Sequence, residues 1–411
     1  MTSKEIEYTQ AVWHYQVTKR KFVQEGKSRV LMLYLQHENA VCRKCKSSDV
    51  RLYKHRTRTL IGLPNGRCQV RFVVPVRKIV CRCCKASSYE KVEFAAYKNA
   101  RITRMLSRAI LDRAAEMSMK AIADEFGVSW RTVRDAIEDA LRKRYRKRDY
   151  SGVTDIGIDE LYVFPNERPS RKYITIVRDV QLGRVLDVSR GKGCVALARF
   201  ARKIEPYKGS IRSISLDMAS SYGSWAAANI PNAIAVVDHF HVIKSLNDRV
   251  DKARRRVMGM VDERTAKRIK GNRHLFLRNK ESLNAKESSR LARAMELEEC
   301  SDLATIHLFK ERMRSLYQSA KHLLDAQLLF DEWIRDAMDS GVSELKSAAK
   351  TFLRNREGIL GYWKCSGRNN ASTEGFNRKV RGLMEKAYGF HEYKFLRLRI
   401  FDLGEKRSIK G

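Results

Sequence analysis

The spacing of apolar residues changes character several times along this chain. Residues 1–34 show no pattern that assigns an element. Residues 35–95 read as short strands. The runs 57–63 and 68–80 flank Pro64, Asn65 and Gly66, a turn signal that predicts a β-hairpin. Residues 96–150 switch to helical spacing and end in the charge run 142–148. Between 151 and 245 the runs 153–158, 173–180, 184–189, 211–216 and 233–237 are β-like. Helical stretches at 195–204 and 220–229 separate the later ones. The first three form a meander with a tight turn at Gln181, Leu182 and Gly183. The order β-β-β-α-β-α-β predicts a mixed sheet covered by helices. Residues 246–360 are helical almost throughout and interrupt this region. A helix returns at 372–386, and 390–403 reads as a short final element.

This divides the chain into 1–34, without an assigned role; 35–95, a small strand-rich module; 96–150, helical; 151–245, the first part of an α/β core; 246–360, a helical insertion; and 361–411, the second part of the core. The expected fold class is multidomain α/β.

Charge narrows the partner. Lys plus Arg number 83 against 47 Asp plus Glu, a net charge of +36. Residues 1–150 hold 34 cations and 15 acids, a net of +19; the remaining 261 residues hold 49 and 32, a net of +17. A basic surface spread over folded segments, and not gathered in a tail, fits a nucleic-acid partner better than a ribosome-associated or membrane-surface protein, and its densest part is N-terminal. No apolar run approaches the roughly 18 residues of a membrane span. The first residues lack the apolar region of a secretory signal, which predicts a cytoplasmic protein. Nine Cys in such a chain point to metal or free thiols rather than disulfides.

Six of those nine lie in 35–95. Cys42 and Cys45 form one CxxC pair, Cys81 and Cys84 another, with the predicted hairpin between them. Two such knuckles supply the four thiolates of a structural zinc site, zinc-ribbon-like in kind. Cys83, inside the second knuckle, and Cys68 leave the ligand choice open.

Within 96–150, Ile122, Ala123 and Phe126 share a helical face. Gly127 follows as a turn, and Ser129 is a good N-cap for a second helix carrying Val133, Ile137 and Leu141. This is the spacing of a helix-turn-helix, and it exposes Trp130, Arg131 and Arg134 where recognition helices meet base edges.

The candidate chemistry lies in three acids. Asp159 and Asp217 each end an apolar β-like run, and neighbouring strands would set them side by side. Glu374 follows Ser372 and Thr373, so it falls in a first helical turn; Phe376, Val380, Leu383 and Met384 form that helix's buried face, while Arg378 and Arg381 share a face with Glu374. Three carboxylates can hold two Mg²⁺, with Mn²⁺ as a substitute, for attack at a phosphodiester, and the two arginines would hold phosphates. Asp179 reads better as a turn residue, and Glu160 should point to the opposite face from Asp159. Asp238 and His241 stand at a strand-to-helix junction, where they would support the acids, contact a DNA strand, or simply satisfy that junction.

Taken in order, the cysteine knuckles, the helix-turn-helix, GIDE at 157–160, LDM at 216–218, VDHFHV at 237–242, NASTEGFN at 370–377 and AYGF at 387–390 resemble the ISL3 family of bacterial insertion-sequence transposases. The resemblance spans roughly residues 40–400. It implies a DDE transposase with an RNase H-like core, in which Asp159 is the first acid, Asp217 the second and Glu374 the third. It also implies supporting roles for Asp238, His241, Asn370 and Asn377, and zinc on Cys42, Cys45, Cys81 and Cys84. The implied partners are double-stranded DNA, both the terminal inverted repeats and the target, and a second copy in a dimer or larger assembly at the nucleoid. Two rivals are a transposase-derived regulator without catalysis and an RNase H-like host nuclease; all three acids being present argues against the first, the appended sequence-reading module against the second.

Overall fold

A computed structural model describes residues 12, 15–26, 28–37, 39–218, 220–365, 371–387, 390 and 392–405; for Lys54, Ser220 and 371–374 it describes the backbone alone. The chain divides into two compact units. The first comprises 1–147 and 381–403, the second 148–380 and 404–411.

The first unit opens on a five-stranded sheet. Strands β1 (Tyr15–Glu25), β2 (Ser28–His37), β3 (Val50–Ile61) and β4 (Cys68–Cys81) lie in the order β1-β2-β4-β3, and β5 (Ser87–Tyr89) pairs with β4. The boundary expected at residue 34 therefore falls inside β2. The predicted hairpin is β3–β4. Asn65 and Cys68 exchange both backbone hydrogen bonds at its turn, and Gly66 supplies the left-handed φ of 57°. On β4, Val70, Phe72, Val74 and Val76 alternate inward against Leu31, Leu33 and Leu35 of β2. Pro75 interrupts this central strand without leaving a neighbour unpaired. It lies between Val73, the last residue to pair with β2, and Lys78, the first to pair with β5.

Helices α1 (Arg104–Arg113), α2 (Met119–Phe126) and α3 (Trp130–Arg144) follow, capped by Thr103, Ser118 and Ser129. Gly127, at φ 61°, makes the turn between α2 and α3 as the sequence predicts. Ile110, Ile122, Phe126, Val133, Ile137 and Leu141 form the core of this bundle, and Phe395, from a helix late in the chain, completes it.

The second unit contains a sheet of β6 (Asp155–Tyr162), β7 (Tyr173–Asp179), β8 (Val185–Arg190), β9 (Ser213–Leu216) and β10 (Ile234–Val237), in the order β10-β9-β6-β7-β8. The meander β6–β7–β8 is antiparallel, while β6, β9 and β10 run parallel. Helices α4 (Cys194–Ile204) and α5 (Ser220–Asn229) link the later strands, and Leu197, Phe200, Trp225 and Ala226 pack beneath Ile156, Ile158 and Ile214. All five expected strands are present within two residues at their starts, but β6 runs past Asp159 to Tyr162. Asp159 is thus a mid-strand residue rather than the end of one.

The helical block contains α6 (His239–Met258), α7 (Glu263–Gly271), α8 (Arg273–Leu277), α9 (Ala285–Met295), α10 (Ser301–Ser319), α11 (Leu323–Asp339), α12 (Ser343–Arg354) and α13 (Arg356–Lys364). Its core gathers Leu246, Val250, Leu303, Phe309, Phe330, Trp333 and Phe352. Gly358 and Gly361 let α13 lie directly on β10: a Cβ on Gly361 would stand 2.5 Å from the Ala235 carbonyl oxygen. The chain ends in α14 (Ala371–Lys386) and α15 (Tyr393–Gly404). Among the described residues no helix is long and apolar enough to cross a membrane.

Candidate functional site

Asp159 and Asp217 come from neighbouring parallel strands. Gly157 of β6 pairs with Ser215 of β9, and each acid stands two positions further along its own strand. Two residues restore the same side of a pleated strand, so both carboxylates leave the sheet on one face at matching height. Asp217 lies one residue beyond β9, half-exposed, and its Oδ1 is 3.2 Å from Nδ1 of His241.

His241 arrives there because of Asp238. That carboxylate is 4% exposed and caps α6, accepting a hydrogen bond from the Phe240 amide at 3.1 Å. With the helix start fixed, His241 falls in its first turn and faces Asp217. The two residues therefore act differently: Asp238 holds the helix end, and His241 touches the acid.

Asp159 is held from two sides. Its Oδ1 accepts from the Glu160 amide at 2.7 Å, and its Oδ2 accepts a short hydrogen bond from Nδ2 of Asn377 on α14. Asn377 is buried, as are Phe376 and Val380, and the Arg178 guanidinium of β7 lies 4.4 Å over the Phe376 ring. Leu383 and Met384 are half-buried, whereas Arg378 and Arg381 are exposed. Glu374 stands three residues before Asn377, about one turn away on the same helix. Its side chain lies outside the described residues, as does Asn370.

Burial pushes the Asp159 carboxyl above the usual range; His241, the Glu160 amide and Asn377 oppose the shift, and the Asp217 carboxylate adds to it. Two carboxylates facing one side of a sheet are the hard oxygen donors that a divalent cation takes.

The neighbouring acids behave as the sequence predicts. Glu160 points away from Asp159 and accepts hydrogen bonds from the Tyr222 hydroxyl and, at 3.3 Å, the Gly193 amide. Asp179 is buried at its turn and accepts from the amides of Gln181 and Leu182, each at 3.0 Å.

A second candidate centre lies in the first unit. The sulfurs of Cys42, Cys45, Cys81 and Cys84 all lie within 4.8 Å of one another, with Cys42–Cys84 and Cys45–Cys81 both at 3.5 Å. Four sulfurs about 2.3 Å from a tetrahedral zinc stand about 3.8 Å apart, so the cluster fits that ion. The two knuckles are built alike. Each CxxC is followed by a lysine in the left-handed region, Lys46 at φ 64° and Lys85 at φ 57°. Amides within the knuckles lower the Cys42 thiol to about 6 and lower that of Cys81. Cys83 stands outside the cluster with its sulfur 3.3 Å from the Ser47 hydroxyl.

On α3, Trp130 and Arg131 are exposed. Arg134 is half-buried and already engaged. It pairs with Glu392, lies 3.6 Å from Glu138 and stacks 5.6 Å over the Phe395 ring. No sequence signal announces the contacts with Glu392 and Phe395, because both lie more than 250 residues away.

Comparison with known proteins agrees with this architecture. A family described as transposase matches residues 156–400. The helix-turn-helix domain of transposase family ISL3 matches residues 90–141. The transposase for insertion sequence element IS1001 of Bordetella parapertussis is 26% identical over 396 residues, covering 93% of this chain and 94% of that protein. The transposase for element IS1557 of Mycobacterium tuberculosis is 25% identical over 304 residues, 67% of this chain and 66% of its own.

Proposed function

Because the chain belongs to the ISL3 family of transposases, we propose that it binds the terminal inverted repeats of its own element, cuts there, and joins the freed 3′-hydroxyls to target DNA. The family implies a divalent metal. In this reading Asp159, Asp217 and Glu374 hold two Mg²⁺, with Mn²⁺ as a substitute. When bound, such ions supply charge neutralisation at the phosphodiester and an activated water or 3′-hydroxyl.

One observation carries the reading: Asp159 on β6 and Asp217, just past the end of the adjacent β9, both stand two positions beyond the Gly157–Ser215 pair, while α14 reaches Asp159 through Asn377. The strand order β8-β7-β6-β9-β10, with its antiparallel meander and parallel remainder, supports an RNase H-like core interrupted by the helical block. Asn377 fixes the Asp159 carboxylate, His241 fixes that of Asp217, and Asp238 acts through His241. The exposed Arg378 and Arg381 would receive phosphates near Glu374.

Residues 35–95 and 96–150 would supply end recognition, with zinc on the cysteine tetrad as a structural support and Trp130 and Arg131 at base edges. Arg134 would first have to leave Glu392, so we assign it the lesser share. Handling two DNA ends calls for a homodimer or larger assembly.

The test is nicking of duplex DNA carrying the ends that flank the gene, with Mg²⁺, by wild type and Asp159→Asn. Nicking by wild type alone, with end-binding equal in both, is the expected result. Equal nicking by both, or binding without nicking under Mg²⁺ and Mn²⁺ alike, would sink the assignment.

A further inference from the structure

Between the cysteine-bearing sheet and the helices of the first unit lies a cleft of about 890 Å³. One wall carries Arg43, inside the first knuckle, with Arg56 and Arg58 on β3; the other carries Arg104 and Arg108 on α1, and Lys98 lies in the connecting loop. None of these six cations has an acidic partner within 4.0 Å among the described residues. The two acids lining the cleft are already taken, Glu90 by Arg77 and Asp139 by Lys143.

Basic residues of the helical block, by contrast, include several that are paired with acids. Arg256 meets Asp302 and Glu344, Arg312 meets Glu332 and Asp336, and Arg314 meets Glu281 and Glu311. Six unpaired cations around one cleft repel each other, and burial together with neighbouring Arg56 lowers the Arg58 pKa. An arrangement that costs stability in the free protein is relieved by a bound polyanion.

The walls are also fixed in advance. Ile61 and the segment 101–103 exchange backbone hydrogen bonds at 2.8 and 2.9 Å, Arg58 donates to the Ala100 carbonyl at 2.6 Å, and Gln69 donates to the Gly127 carbonyl at 3.0 Å. The Arg56 guanidinium is stacked 5.0 Å over the Tyr89 ring. Preformed donors lose little entropy on binding.

We propose that this cleft holds the phosphodiester backbone of the element's end DNA, as a second contact beside the one made by α3. The inference rests on the DNA-binding reading above. Lys143, at the cleft, is twelve residues along α3 from Arg131, or about 18 Å. That is roughly five base pairs at about 3.4 Å each. End recognition is then bipartite: α3 reads bases, and the cleft fixes phosphates about half a helical turn away without reading sequence.

The experiment measures the affinity of full-length protein for end DNA and for random duplex across a salt series. Two double variants are used, Arg104→Ala/Arg108→Ala and Arg43→Ala/Arg108→Ala, beside Arg131→Ala. Zinc content and circular dichroism confirm folding, and the first pair lies clear of the knuckles. Each lost phosphate contact should lower the slope of log affinity against log salt by about 0.9, so each double variant should lose about 1.8, equally on both DNAs. Arg131→Ala should instead erode the preference for end DNA. Phosphate-ethylation interference should place the lost contacts about five base pairs from those of Arg131. Unchanged slopes in a folded double variant would overturn the proposal. So would a loss confined to RNA, or protection of the cleft by inorganic phosphate with no effect on DNA. If wild type has no preference for end DNA, the function reading fails first and this inference with it.

Discussion

The two candidate metal centres solve the same problem in opposite ways. The cysteine tetrad is local. Each knuckle brings two ligands three residues apart, and one hairpin, β3–β4, carries Cys81 back beside Cys42. The acid pair is assembled from distant segments: Asp159 and Asp217 are joined by sheet register, and α14 is tied in through Asn377. A closed ring of four thiols leaves no open position and can only support the fold. Two carboxylates, one half-exposed, leave room for substrate. The tetrad can therefore be written in short motifs, whereas the acid pair depends on the whole sheet being built first.

The largest effect should separate them outright. Cys42→Ser/Cys45→Ser should abolish zinc content, melt the first unit and end DNA binding. Structural zinc contributes about 10–16 kcal/mol in small modules, far more than a small sheet can lose. Metal analysis and thermal melting check this; a native melt without zinc would reduce the tetrad to free thiols. Asp217→Asn should do the reverse. End-binding and melting should stay near wild type while nicking falls by about 10²–10³-fold or more, the scale lost when one stabiliser of transition-state charge is removed.

Acid sensitivity needs a control outside both centres. His307, in the helical block, is 8% exposed, and burial followed by nearby Lys310 lowers its pKa to about 4. A depressed histidine is neutral in the fold but protonates when unfolded at its higher, ordinary pKa. Its contribution to stability is therefore complete above about 6.5 and is lost as pH falls toward 4, at most about 3 kcal/mol. His307→Gln should flatten that limb of the melting profile without altering the pH of zinc release. If the two shift together, the tetrad and the helical block are not independent.

Smaller again, Asn377→Ala should cost about 10–100-fold in nicking, with weaker Mg²⁺ dependence and unchanged end-binding, as for other groups that orient a metal ligand. A loss as large as that of Asp217→Asn would make Asn377 part of the chemistry. Cys83→Ser should change neither zinc content nor melting, because its sulfur faces Ser47.

Legibility followed the same division. The knuckles, the β3–β4 turn and the α2–α3 turn were readable because a few adjacent residues decide them. The five strands of the second sheet are readable as apolar runs and the first three as a meander, but the placement of β9 and β10 beside β6 is not, since that pairing is a long-range choice. Strand β1 escaped notice because it is solvent-exposed along almost its whole length and carries no alternation. Strand β2 had a signal in Leu31, Leu33 and Leu35, masked by Met32 and Tyr34 between them, which makes an unbroken apolar run that reads equally as helix. The acids are legible as residue types after apolar runs, although β6 continues beyond Asp159. Asn377 entered only through family resemblance; nothing in its own neighbourhood announces a bond to a residue 218 positions earlier. The last helix looked like part of the catalytic core, yet Phe395 packs into the helix-turn-helix.

The bare glycine face of α13 sets a rule for anyone wishing to trim or transplant the helical block. Such an insertion invites removal as a cassette, cut where the helical pattern ends near residue 360. That cut would pass through α13 between Gly358 and Gly361 and strip β10 of the helix lying on its backbone. A viable graft would instead break the chain at Asn355, leaving α13 with the sheet. The last helix of the insertion belongs, as a working part, to the core that the helical block interrupts.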